Sequence, residues 1–167
     1  SKDIDFVNLK KLKFKDNKLI ISAEVTKSSY DFVSFTLCYR YKKCEDKQVY
    51  FEKATYYTKF GKKYIKATFD LSKIDLQRII WDIFAVYKED ENLYFASISV
   101  DDKQIDKKLF SFKNLFAQND YRFKTDDGTD VFFLYFTTIN TIAFMVREQT
   151  SFDLRRFKVK EFIAMVI

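Results

Sequence analysis

The stretch Ile79-Ile80-Trp81-Asp82-Ile83-Phe84-Ala85-Val86-Tyr87-Lys88 decides the fold. From Ile80 to Tyr87 apolar side chains fall on both faces of an extended segment. A strand of that kind belongs in the interior of a sheet, with neighbours on either side. Trp81 then reads as a large core aromatic and not as a ligand platform.

Outward from this strand the chain alternates short apolar runs with polar turns. Downstream, Lys88 to Asn92 is a charged loop and Leu93 to Val100 pairs back as another strand. Upstream, Val33, Phe35, Leu37, Tyr39 and Tyr41 alternate with Ser34, Thr36, Cys38 and Arg40, which predicts a central strand. Leu19, Ile21, Ala23 and Val25 form the apolar face of another, preceded by a first strand from Ile4 to about Phe14 and an Asp16-Asn17 turn. Val49–Phe51, Ala54–Phe60 and the run from Tyr64 to Leu71 supply the rest, with Gly61 closing a hairpin and Ser72 capping one helical turn. Short strands spaced by turn signals over residues 1–100 predict an immunoglobulin-like β-sandwich, crossing between sheets from Phe69 to Ile80.

Beyond Asp101-Asp102 the pattern loosens. Leu109–Leu115 and Tyr121–Lys124 read as short strands, and Val131–Phe136 with Thr141–Val146 as a hairpin. Residues 101–151 are thus expected to form a β extension packed on the sandwich. In 152–167, Leu154, Phe157, Val159, Phe162, Ile163 and Val166 recur near helical spacing among Arg155, Arg156, Lys158 and Lys160, which predicts a basic amphipathic helix. A chain that begins at Ser1 and ends on Met165-Val166-Ile167 is expected to be a piece of a longer protein.

Composition narrows the function. The 167 residues are 47% hydrophobic and 32% charged, which excludes a disordered chain. Aromatics at 19%, with 20 Phe and 11 Tyr, favour pleated, half-buried surfaces. There is no His, so the usual base of a nucleophilic triad is missing, and with only two Cys a zinc site is not expected. Gly61 and Gly128 stand alone, so no phosphate-cradling loop exists. Glu89-Asp90-Glu91, Asp101-Asp102 and Asp126-Asp127 read as solvated loop tips, not facing carboxylates or a calcium loop. No catalytic site, cofactor or metal is therefore expected. Cys38 and Cys44 do not make a disulfide framework. They are read as reduced, with Cys38 a small strand hydrophobe, although closure of one small loop stays open. No run approaches the roughly 18 apolar residues of a membrane span, and Lys2, Asp3 and Asp5 do not begin a signal peptide.

The net charge of +6 allows anionic partners. Charge clustering selects Lys10, Lys11, Lys13, Arg155, Arg156 and Lys158 as the contact to an anionic polymer or membrane surface. Lys15 and Lys18, and the interleaved Tyr39-Arg40-Tyr41-Lys42-Lys43, also suit single-stranded nucleic acid, but no RNA-binding motif accompanies them.

The order of segments Lys18–Thr26, Phe32–Lys43, Lys63–Ile74, Ile79–Lys88 ("IIWDIFAVYK") and Asn92–Ser99 resembles the β-sandwich accessory domains of teichoic acid enzymes. These include the CDP-glycerol and CDP-ribitol phosphotransferases and related wall teichoic acid glycosyltransferases. Asp130–Glu148 ("DVFFLYFTTINTIAFMVRE") is similar to the strand pair that often follows such sandwiches. The family's active-site residues lie in a transferase domain outside this stretch, so none carries over. The resemblance implies a non-catalytic accessory module of a membrane-associated transferase, at the cytoplasmic face of the membrane. Such a module would position, oligomerise or tether its own downstream transferase domain. The alternative from another class is a free-standing binding module for an anionic polymer or single-stranded nucleic acid.

Overall fold

The computed structural model describes residues 7–26, 29–40, 49–74, 77–100, 122–124, 130–136 and 142–148. Among these the protein is mainly β. The strands are β1 (Val7–Lys15), β2 (Lys18–Val25), β3 (Asp31–Tyr39), β4 (Val49–Lys53), β5 (Thr55–Lys59), β6 (Lys62–Asp70), β7 (Ile79–Glu89), β8 (Asn92–Ser99), β9 (Arg122–Lys124), β10 (Asp130–Phe136) and β11 (Ile142–Glu148). The helix expected over 152–167, with Arg155, Arg156 and Lys158, lies outside the described residues, as does the strand expected at Leu109–Leu115.

Backbone pairing joins the strands in the order β5-β6-β2-β1-β8-β7-β11-β10-β9, with β3 on the other side of β7 and β4 outside β3. The interior placement of Ile80–Tyr87 holds. β7 pairs along one edge with β3, and along the other with β8 from Phe84 onward and with β11 from Ile79 to Asp82. One long strand therefore serves two partners end to end. The hairpin β10–β11 joins the sheet through this backbone pairing.

β8 does the converse. Its first part pairs antiparallel with β7, while Ile98 and Ser99 pair parallel with Val7 and Asn8 of β1. The connection from β6 to β7 is built around a 3-10 turn at Leu71–Lys73. The cap differs from expectation. Asp70, not Ser72, caps the turn, its Oδ1 accepting the Ser72 N–H at 3.1 Å and the Ser72 hydroxyl at 2.6 Å. A carboxylate one residue before the turn accepts both donors at once; the hydroxyl becomes the donor. This is why Asp70 is held below the ordinary carboxylate range, chiefly by the Ser72 hydroxyl.

Leu9, Ile21, Ala23, Ile65, Ala67 and Phe69 from one group of strands meet Phe35, Leu37, Trp81, Ile83 and Phe144 from the other in one buried cluster. Trp81 is fully buried, with ring centroids of Tyr39 at 5.2 Å, Tyr50 at 5.7 Å and Phe144 at 6.2 Å. Its Nε1–H donates to the Gln77 carbonyl at 2.8 Å, so the one polar atom of the ring is satisfied in the core.

β3 departs from simple alternation. Phe32, Ser34, Phe35, Thr36 and Leu37 are all buried, and the register against β7 shifts between Phe32 and Ser34. A bulge at Val33 explains it. The bulge is in the pairing with β7 only; on the β4 side the Val33 carbonyl accepts the Ala54 N–H at 3.0 Å, one pair beyond Ser34–Lys53 in the same register.

Candidate functional site: a lysine and tyrosine face

Register fixes which side chains share a face. In β1, β2 and β6 the residues Leu9, Ile21, Ala23, Ile65 and Ala67 point into the core, so the residues between them project from the opposite face. That outer face carries rows set by the pairings Lys59–Lys62, Tyr57–Tyr64–Glu24, Lys66–Ser22–Lys11 and Thr68–Ile20–Lys13. Lys10 joins it because the β1 register slips between Leu9 and Lys11. The expected cluster Lys10, Lys11 and Lys13 thus meets Lys59, Lys62 and Lys66 from a hairpin some fifty residues away. Glu24 is the acid in their midst, 3.3 Å from the Lys10 ammonium and 3.8 Å from that of Lys62. Both lysines are well exposed, so these ion pairs contribute little to stability.

Aromatic rings sit among the cations. Tyr57 and Tyr64 stack with centroids 5.1 Å apart, and the Tyr57 hydroxyl hydrogen-bonds the buried Ser22 hydroxyl. The Lys66 ammonium lies 5.4 Å from the Tyr57 ring centre; on the opposite side of the hairpin, Lys63 lies 5.4 Å from that of Tyr56. At the hairpin tip, Phe60 is 92% exposed, with the Lys59 ammonium 5.7 Å from its ring centre.

On the core-facing side of β5, Tyr56 and Lys63 with Ser29, Tyr30, Asp31, Tyr57 and Thr58 line an open cleft of about 380 Å³. The Tyr56 hydroxyl oxygen accepts the Phe32 N–H at 2.6 Å. Burial pushes the Tyr56 phenol above the ordinary tyrosine value; the Phe32 N–H offsets this in part, and Asp31 adds to it.

The second expected cation cluster is absorbed by the fold as far as it is described. Tyr39 packs on Trp81 and donates to the Arg78 carbonyl at 2.5 Å. Arg40 grips Asp82 with two hydrogen bonds, of 3.0 and 2.5 Å. On the outer face of β4 and β8, Phe51 and Phe95 form a separate exposed apolar pair at 6.0 Å. Among the described residues no group of three His, Cys, Asp or Glu could hold a metal ion, and no helix is long and apolar enough to cross a membrane.

These features define a β domain with a cationic, aromatic-studded outer face. No protein-family model matches the chain, and no curated protein matches it significantly. Among solved structures it is similar to TarS of S. aureus, 17% identical with a TM-score of 0.53 over 88% of this chain and 25% of TarS. A structure of TarS 217-571 gives the same 17% and 0.53, over 88% of this chain and 39% of that one. At this identity the likeness is one of fold, and the chain spans well under half of either neighbour.

Proposed function

We propose that this chain is an immunoglobulin-like, non-catalytic accessory module of a teichoic-acid-type transferase. The module positions or tethers its own transferase domain at the inner face of the membrane. The observation that carries this reading is the likeness of most of the chain to a limited part of TarS, a wall teichoic acid glycosyltransferase. The strand order adds support. β1-β2-β6-β5 and β4-β3-β7-β8, with a parallel contact between β1 and β8, is the order of the A-B-E-D and C′-C-F-G sheets of an immunoglobulin-type sandwich. On this reading residues 1–100 form the sandwich, 101–151 its extension and 152–167 the lead to the downstream domain.

The anionic partner is read from the lysine face. Lys10, Lys11 and Lys13, joined by Lys59, Lys62 and Lys66, form the contact to a polyol-phosphate chain or to anionic headgroups, with Arg155, Arg156 and Lys158 as a second contact. Two measurements test the proposal. The isolated chain should transfer nothing from CDP-glycerol or CDP-ribitol, and measurable turnover contradicts a non-catalytic module. Exchanging Lys11 and Lys13 for Gln should weaken retention on immobilised polyphosphate at low salt; unchanged retention removes these lysines from the contact.

A further inference from the structure

The hairpin β5–β6 ends in a residue that its own geometry disfavours. Lys59 pairs with Lys62, leaving Phe60 and Gly61 as the two central residues of the turn, with φ of 51° and 73°. Two positive φ angles mark a type I′ turn, whose first central position favours Asn, Asp or Gly. Another such turn among the described residues follows that rule, with Asp16 and Asn17 at φ 53° and 60°. A bulky side chain at positive φ is a backbone outlier, and strain of this kind concentrates where function requires it. Core packing does not repay it here, because Phe60 is 92% exposed.

The surroundings of the tip are ordered in layers. Lys59, Lys62 and Lys63 flank Phe60 on both strands, and all are exposed. The stacked pair Tyr57–Tyr64 follows, two residues further from the turn, which is about 7 Å along the strands. A lone apolar ring, then ammonium groups, then tyrosines is the sequence of chemistries met on entering an anionic bilayer edge-on. Rings reach about 5–10 Å into the boundary of headgroups and acyl chains, cations meet lipid phosphates, and tyrosines sit at headgroup level.

We propose that the Phe60 tip inserts into an anionic lipid bilayer, with Lys59, Lys62 and Lys63 on the headgroups. This rests on the membrane-side reading of the lysine face and names its partner. A soluble polyanion offers no apolar phase, so it gives Phe60 nothing to enter.

The test exploits opposite signs. Phe60→Asn restores the preferred turn, so the thermal midpoint should rise by about 2–4 °C. The same variant should partition onto phosphatidylglycerol vesicles about ten- to a hundredfold more weakly than the parent chain. Its retention on soluble polyphosphate should not change. Phe60→Trp should keep vesicle binding and show emission quenched by brominated phosphatidylglycerol, while buried Trp81 stays unquenched. Equal vesicle binding by parent and Phe60→Asn overturns insertion while leaving the lysine contact intact. So does no vesicle binding by either, or an equal loss of polyphosphate binding. Loss of binding by Lys11 and Lys13 variants alone would affect the lysine contact and not the tip.

Discussion

Replacing Trp81 by Ala is the sharpest perturbation of the core. The indole is fully buried and touches rings from β3, β4 and β11, so its removal opens a cavity at the junction of three strands. Trp-to-Ala changes in cores cost about 3–5 kcal/mol, and losing the indole hydrogen bond to the Gln77 carbonyl adds about 1 kcal/mol. A loss of about 4–6 kcal/mol takes a large part of the roughly 5–15 kcal/mol of a typical domain. For a chain of this length that lowers the thermal midpoint by about 8–24 °C. Far-ultraviolet circular dichroism against temperature and urea measures it without needing the single Trp as a probe. A cost under about 2 kcal/mol would refute the packing described. A double-mutant cycle with Phe144→Ala sharpens the test. The rings stack 8° from parallel, and such pairs couple by about 0.5–1.5 kcal/mol. No coupling would remove β11 from the edge of β7.

Three further outcomes follow from local geometry. Gly61→Ala should destabilise by about 1 kcal/mol in urea unfolding. A Cβ there meets nothing within 4 Å, so the cost is that of φ 73° alone, and no loss would contradict the turn. Tyr56 should ionise above the ordinary tyrosine value when absorbance is followed against pH. Because the fold favours the neutral phenol, its contribution is intact below the unfolded tyrosine value and fades as pH rises through the folded one; Tyr56→Phe should abolish that late-titrating component. Ser72→Ala should raise the Asp70 carboxyl toward its ordinary range by NMR titration. The native Asp70 contribution, present above the unfolded value, should disappear as pH falls through the depressed one. An unmoved Asp70 would deny the cap.

Much of the fold was legible because local patterns and tertiary contacts agree. Residues 79–88 lack a polar face, and β7 has partners on both edges. Asp16-Asn17 and Gly61 mark turns because positive φ narrows the choice of residue. β3 was less legible, since the register shift between Phe32 and Ser34 belongs to its pairing with β7, which no period-two reading contains. The lysine face was half legible. Lys10, Lys11 and Lys13 cluster in sequence, but Lys59, Lys62 and Lys66 reach the same surface only through the pairing of β2 with β6. Phe60 carried a signal of its own, a bulky ring before Gly where a two-residue turn favours Asn. Reading Ala54–Phe60 as strand hid it.

The central claim is that the outer face of β1, β2, β6 and β5 engages an anionic surface through its lysines. Its most direct test is the salt dependence of binding to phosphatidylglycerol vesicles, measured with the intact chain and with Lys11 and Lys13 exchanged for Gln. Affinity should fall steeply as salt rises, because screening shortens the reach of surface charge to about 10 Å at 0.1 M, and the variant should show a shallower dependence. Binding that ignores salt, or two identical salt curves, would contradict it.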